Sequence, residues 1–449
     1  MRMRITNVLF AVALTGCLDR PLASVYPVQG KVETKDLPSN PEKDADILFL
    51  IDNSLSMEAE QQSLQANFPK FMEVLQTLEG GAPNMHIGVA TSDMGQKAGD
   101  GTGTGFGCEG SGDDGLLRTA PAISGNFIID EESGGGRNVN YTGTLGDAFS
   151  AIAAVGIAGC GIEQHLASMQ RALENPGNAG FLRPEAKLAV IVIADEDDCS
   201  LAHHALFETS DTTEINFRCT SSGVVCTDSP DLTQPGQRTM CKPQDSSQYL
   251  EPIAGYADYI KSLKPNWRDD VLVAGIIGDS SPFGIVLDAK QHPILDQSCR
   301  YNGSDGAFPA LRTSSFLDQF PQTTQQTICG ADLSAAMVEI AAQLKRSFGD
   351  PCWEGEIADL DPGTPGLQPD CSISDVQVLP DGTSKELDLL PSCSSGEIPC
   401  WRLEVDAAQC FYTETKMKLV IDRGGVLPPS DIHVKASCVT TDPDGGPVI

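Results

Sequence analysis

Asp46-Ile47-Leu48-Phe49-Leu50-Ile51-Asp52-Asn53-Ser54-Leu55-Ser56-Met57 is the stretch that decides the fold. Ile47 to Ile51 form an unbroken apolar run, too short for a helix and suited to a strand buried on both faces. Asp52, Ser54 and Ser56 follow at alternating positions, and a helical pattern begins directly after them. A carboxylate and two hydroxyls on one strand-to-helix turn are hard oxygen ligands, the type that suits Mg²⁺, Ca²⁺ or Mn²⁺. In an open α/β sheet such a turn lies outside the carboxyl ends of the strands, where ligands bind. The same residue types also lead at helix N-caps, so the turn by itself has two readings.

Outward from this stretch, strands and helices alternate. Leu64, Phe68, Phe71, Leu75 and Leu78 line one face of a first helix that contains Pro69. Met85 to Ala90 reads as a strand, with His86 an ordinary strand residue, and Asn126 to Asp130 as another. Thr144 to Val155 is a short helix, and Ile162, Leu166, Met169 and Leu173 mark a second that stops at Pro176-Gly177. Leu188 to Ala194 is again a fully apolar strand, ending in Asp195-Glu196-Asp197-Asp198. A helix bearing Ile253, Tyr256, Ile260 and Leu263, the strand Val271 to Ile277, an edge strand at Ser315-Phe316-Leu317 and a final helix capped by Asp332 complete the pattern. This order predicts an α/β fold, a doubly wound and mostly parallel sheet with helices on both faces. Segments of about 95–140, 199–245 and 279–312 lack periodicity and read as insertions.

The D-x-S-x-S pattern after a buried strand resembles the metal-ion-dependent adhesion site of von Willebrand factor A (vWA) domains, over roughly residues 46–350. The resemblance implies a divalent cation, Mg²⁺ first with Ca²⁺ or Mn²⁺ as alternatives, held by Asp52, Ser54 and Ser56. It implies that Asp195, which ends the matching central strand, completes the site. The family threonine ahead of the preceding helix is missing. Gly159-Cys160-Gly161-Ile162-Glu163 stands there instead, and Glu163 is the substitute carboxylate. The implied role is binding of a protein or polymer partner through the ion, with no catalysis. A structural protein with a degenerate site, and then a hydrolase or enzyme subunit, are the rivals. No G-x-S-x-G, H-E-x-x-H or Walker pattern supports the last.

The formal charge of −32 repels nucleic acid and draws divalent cations. Arg2 and Arg4, the apolar run Val8 to Leu14, and Leu14-Thr15-Gly16-Cys17 resemble a lipoprotein leader over residues 1–16. Cys17 is then the lipidated residue and the membrane anchor, and Leu18 after it favours the outer membrane. Residues 17–45 read as a tether. Of fifteen cysteines, Cys17 is set apart as the lipidated residue, and the remaining fourteen fall as eight before residue 350 and six after it, both even counts. No C-x-x-C pair occurs, so seven disulfides are expected, none joining the two sides. His203-His204 fall in an insertion and read as surface residues. Past Pro351, Pro, Gly, Ser and alternating runs such as Trp401-Arg402-Leu403-Glu404-Val405 predict a small cysteine-rich β domain over 351–449.

Overall fold

The computed structural model describes residues 30–38, 43–78, 81–103, 105–133, 136–207, 213–301, 306–330, 332–379, 383–426 and 432–441. The leader, Cys17, most of the tether and residues 442–449 lie outside them. Among the described residues no helix is long and apolar enough to cross a membrane.

The elements that matter here run in chain order as β1 (Gly30–Pro38), β2 (Asp44–Ile51), α1 (Glu58–Leu75), β3 (Asn84–Thr91), β4 (Ile128–Ser133) and β5 (Gly136–Val139). Next come α2 (Leu145–Ala153), α3 (His165–Glu174), β6 (Lys187–Ala194), α4 (Ile215–Gly223), α5 (Ile253–Ser262) and β7 (Val271–Ile277). Then follow α6 (Leu311–Leu317), β8 (Thr323–Thr327) and α7 (Ser334–Ser347). The last are β9 (Cys371–Val378), β10 (Ser384–Leu389), β11 (Cys400–Val405), β12 (Met417–Asp422) and β13 (Ile432–Thr441).

The main sheet has the order β8-β7-β6-β2-β3-β4-β5. Its pairings from β8 through β3 are parallel, while β4 and β5 join antiparallel at one edge. Alternate residues of β2 serve opposite layers. Ile47, Phe49 and Ile51 pack with α1, α2 and α7, and Leu48 and Leu50 with α3, α5 and α6. That two-sided burial is why the run carries no polar residue. The Phe149 ring stacks on Phe68 at 3.7 Å and meets Phe49 edge-on at 4.8 Å. The chain departs from β2 to β3 on one side and returns to β6 on the other, which leaves a crevice at the carboxyl ends of β2 and β6.

Two elements differ from expectation. Ser315 to Leu317 belong to a helix rather than an edge strand, because the Asp197 carboxylate accepts the N–H groups of Arg312 (2.8 Å) and Thr313 (2.9 Å) and so caps α6 from a distance. The edge strand is β8, whose sequence Thr-Thr-Gln-Gln-Thr has no apolar alternation to reveal it. Asp332 still accepts the Ser334 N–H, although Leu333 takes the cap position of α7.

Gly30–Pro38, expected in the tether, is a strand of the C-terminal unit. It pairs antiparallel with β13 from Gly30↔Thr441 to Pro38↔His433, giving the sheet β1-β13-β9-β10. Leu37 and Lys35 are buried on its inner face, with the Lys35 ammonium 3.4 Å from Glu33 and 5.5 Å from the Trp353 ring, so hydropathy hides the strand. Trp353, Ile373, Trp401, Leu419, Val434 and Ala436 form a separate core there, with β11 and β12 as a hairpin. Seven disulfides link Cys108–Cys160, Cys199–Cys219, Cys226–Cys241, Cys299–Cys329, Cys352–Cys410, Cys371–Cys438 and Cys393–Cys400, and none joins the two sides of residue 350.

Candidate metal centre

Both ends of β2 carry a buried aspartate. Asp46 at the lower end is fully buried and satisfied, taking the Arg183 Nε at 2.8 Å and the Arg183 backbone N–H at 2.6 Å. Asp52 at the upper end is equally buried, and among the described residues its ion-pair contact is with His165 and not with an arginine or lysine. Its Oδ1 accepts the Ser54 N–H at 2.7 Å, which shapes the turn, and lies 3.5 Å from Ser92 Oγ. Its Oδ2 has no hydrogen-bond partner. Ser54 Oγ and Ser56 Oγ stand 3.0 Å apart at the mouth, with Ser54 buried and Ser56 exposed. Gln61, one turn into α1, donates to the Asp52 carbonyl at 3.1 Å and to the Gly156 carbonyl at 2.8 Å, tying the turn to the loop before α3.

The acidic run after β6 divides by function. Asp197 caps α6, and Asp198 pairs with Arg312 at 3.0 Å while accepting the Leu166 N–H of α3 at 2.9 Å. Those two carboxylates are structural. Asp195 and Glu196 instead face the crevice. Asp195 is 3% exposed and hydrogen-bonds Ser56, and its Oδ1 has no partner. Glu196 takes the Asn216 amide of α4 at 2.8 Å and shares a hydrogen bond with Glu163. Glu163 is 3% exposed, and its Oε1 is also without a partner. Glu60, buried in the first turn of α1, adds a further unpartnered oxygen, Oε2.

The electrostatics follow from this crowding. Burial, and then the Glu196 and Asp52 charges, push the Glu163 carboxyl well above the usual range. Burial, and then Asp52 and Glu196, do the same to Asp195. Glu196 is also raised by burial, against the hydrogen bond from Glu163 that holds it down. Several buried carboxylates therefore crowd one crevice, where the His165 imidazole 3.8 Å from Asp52 is the nearby basic group, and a bound divalent ion would supply further compensating charge and partners for their oxygens. No three of them present oxygens all within 4.8 Å of one another among the described residues. At an oxygen–metal distance of roughly 2.0–2.6 Å, a single ion in this arrangement takes at most two of the carboxylates directly. The serine hydroxyls, and water between the ion and the remaining acids, fill the rest. The residues present fit a hard divalent cation.

Sequence reasoning had placed Asp52, Ser54, Ser56, Asp195 and Glu163 here, and the fold brings them to one crevice. It missed Glu196, Glu60 and His165. His165 opens α3, is fully buried, and holds Nε2 3.8 Å from Asp52 Oδ2 with both ring nitrogens unpartnered. Burial disfavours its charge, but the Asp52, Asp198 and Asp197 carboxylates together outweigh that and raise its pKa. Nothing in the sequence marks it. Thr144 is not a ligand: it forms a capping box with Asp147 at the start of α2. His86 is an ordinary buried strand residue, 2.9 Å from the Phe181 carbonyl.

His203 and His204 stack near Asp100, with nitrogens 3.3 and 3.1 Å from its Oδ2. His203 Nδ1 accepts the Ala205 N–H at 3.0 Å, which leaves the imidazole proton on Nε2, the atom facing Asp100. The three groups bring their ligand atoms within 4.8 Å of one another at the surface, away from the strand-end crevice.

No protein-family model matches the chain, and no curated protein matches it. Among solved structures it is similar to the pilus adhesin SpaC of Lactobacillus rhamnosus GG in an open conformation, at 10% identity and a TM-score of 0.31, over 93% of this chain and 41% of that one. It is similar to a von Willebrand factor type A structure from Catenulispora acidiphila at 12% identity and 0.27, over 94% and 68%. The pilus adhesin RrgA of Streptococcus pneumoniae gives 13% and 0.29, over 92% and 58%. The chain thus spans less than two thirds of SpaC and of RrgA. Likenesses this distant carry no argument about function. The vWA-like architecture rests on the sheet order and on the place of Asp52, Ser54, Ser56 and Asp195 at the strand ends.

Proposed function

We propose that the chain is a binding protein that engages a protein or polymer ligand through a divalent cation, held by Asp52, Ser54, Ser56 and Asp195 with Glu163 in place of the family threonine. The observation that supports this most is the set of buried, unpartnered carboxylate oxygens, Asp52 Oδ2, Glu163 Oε1 and Asp195 Oδ1, gathered at one strand-end crevice. A cation there would offer its remaining coordination positions to a ligand oxygen at the open Ser56 side. Mg²⁺ suits a site that presents one or two direct carboxylates and keeps several waters; Ca²⁺ and Mn²⁺ are the alternatives. Leu55, between the two serines, is 75% exposed and gives a partner an apolar foothold beside the ion. The module is non-enzymatic in this proposal, and lipid on Cys17 anchors it at the outer membrane.

Calorimetric titration with Mg²⁺, Ca²⁺ and Mn²⁺ tests the ion, and capture of envelope components with and without chelator tests the partner. Asp52→Ala removes chelator-sensitive binding and leaves the fold intact. Absence of binding by all three ions at millimolar concentration would replace this proposal with a structural envelope protein whose site is vestigial.

A further inference from the structure

The disulfide-bearing insertions do more than decorate the surface. Two of their bridges converge on the irregular segment 154–164, which carries Glu163. Cys160, three residues before Glu163, is joined to Cys108 of the first insertion, and the neighbouring Gly161 N–H donates to the Phe106 carbonyl at 2.9 Å. Cys199, joined to Cys219, donates its N–H to the Glu163 carbonyl at 2.8 Å. Cys219 lies on α4, the helix whose Asn216 holds Glu196. Cys108, Cys160, Cys199 and Cys219 share one buried apolar cluster with Ile162 and Phe207. The remaining bridge of the second insertion, Cys226–Cys241, belongs to a different cluster around Phe217 and Phe283.

We propose that the Cys108–Cys160 and Cys199–Cys219 bridges are positioning elements of the cation site, fixing Glu163 and Glu196 so that ion affinity, and not fold stability alone, depends on them. This rests on the cation reading above. A loop without helix or strand bonds keeps its conformational freedom unless something else removes it, at roughly 1–2 kcal/mol of entropy for each residue ordered. Here Gly159 N–H to the Asn53 carbonyl (3.0 Å) and Gln164 N–H to the Ser92 carbonyl (3.1 Å) pin the two flanks, and the bridges pin what lies between. In a family in which a threonine takes this place, a short side chain on a helix start suffices. A longer glutamate on an irregular loop needs outside support, and the insertions provide it.

The test is ion titration of the oxidised full chain in three paired variants. Cys108→Ser with Cys160→Ser, and Cys199→Ser with Cys219→Ser, should each weaken ion binding by about 10- to 100-fold, the range for losing support around metal ligands. Cys226→Ser with Cys241→Ser should leave it within about twofold, because among the described residues neither cysteine has a backbone hydrogen bond to Glu163, Glu196 or segment 154–164. Combined with Glu163→Gln, the Cys108 and Cys160 pair should add little further loss, which a general loss of stability would not reproduce. Asn216→Ala keeps every bridge and tests the α4 arm should a bridge variant fail to fold; it too should weaken ion binding. Wild-type affinity in the first two pairs and in Asn216→Ala, or an equal loss in the third pair, overturns the proposal while the cation reading stands. Failure of the wild-type chain to bind any ion overturns the cation reading instead.

Discussion

Glu163→Gln should reverse its effect on stability according to whether a divalent ion is present. In chelator the native chain holds the Glu163 carboxylate almost fully buried, beside Glu196 and Asp52, with Oε1 unpartnered. An unsatisfied buried acceptor costs about 1–3 kcal/mol, and a charged one more. Glutamine keeps the shape and the same unpartnered oxygen but never takes on the charge that burial, Glu196 and Asp52 oppose, so in chelator the variant should be more stable than wild type by about 1–3 kcal/mol, a gain that grows as pH rises. At about 2–4 °C per kcal/mol for domains of 150–250 residues, the shift is readily measured by differential scanning fluorimetry. With the ion at about a thousand times its dissociation constant, the wild type gains about 4.1 kcal/mol from binding. The variant should lose most of that gain, so the order of melting temperatures inverts. A variant less stable than wild type in both conditions would make Glu163 a structural residue. An equal ion-induced rise in both proteins would remove it from the ligand set.

Asp195, Glu163 and Glu196 all have raised pKa values, with burial the first cause for each. The native state therefore binds more protons than the unfolded state above the ordinary carboxylate range, and stability in chelator should fall as pH rises through the raised values. Saturating ion should flatten that slope, which calorimetry at several pH values would reveal. Phe149→Ala removes a ring packed against both Phe68 and Phe49 and should cost about 3–5 kcal/mol in urea unfolding. Deleting residues 1–42 removes β1 and bares the edge of β13, so the C-terminal unit should melt earlier while ion titration is unchanged; loss of ion binding would mean that β1 supports the main sheet as well. Cys17→Ser should release the protein from membranes in soluble form, as fractionation and intact mass would show.

The sequence by itself determined the parts whose signal is local. Ile47 to Ile51 and Leu188 to Ala194 announce buried parallel strands because both faces of each are covered, and the turn after the first displays its ligands in consecutive residues. Even cysteine counts on either side of residue 350 allow each side to close its own bridges, and the structure pairs them in that way. What only the tertiary structure decided depends on residues distant in the chain. The run Asp195 to Asp198 looks uniform, yet Asp197 and Asp198 are claimed by Arg312 and Thr313, more than a hundred residues on, and only Asp195 and Glu196 reach the crevice. Residues 30–38 look like a linker until β13 supplies a hydrogen-bonding edge from the far end of the chain. His165 sits beside Asp52 because α3 packs there, and no pattern along the chain encodes that approach. Periodicity reports what a segment does with its own neighbours, whereas the charge a carboxylate faces is set by whatever folding brings against it.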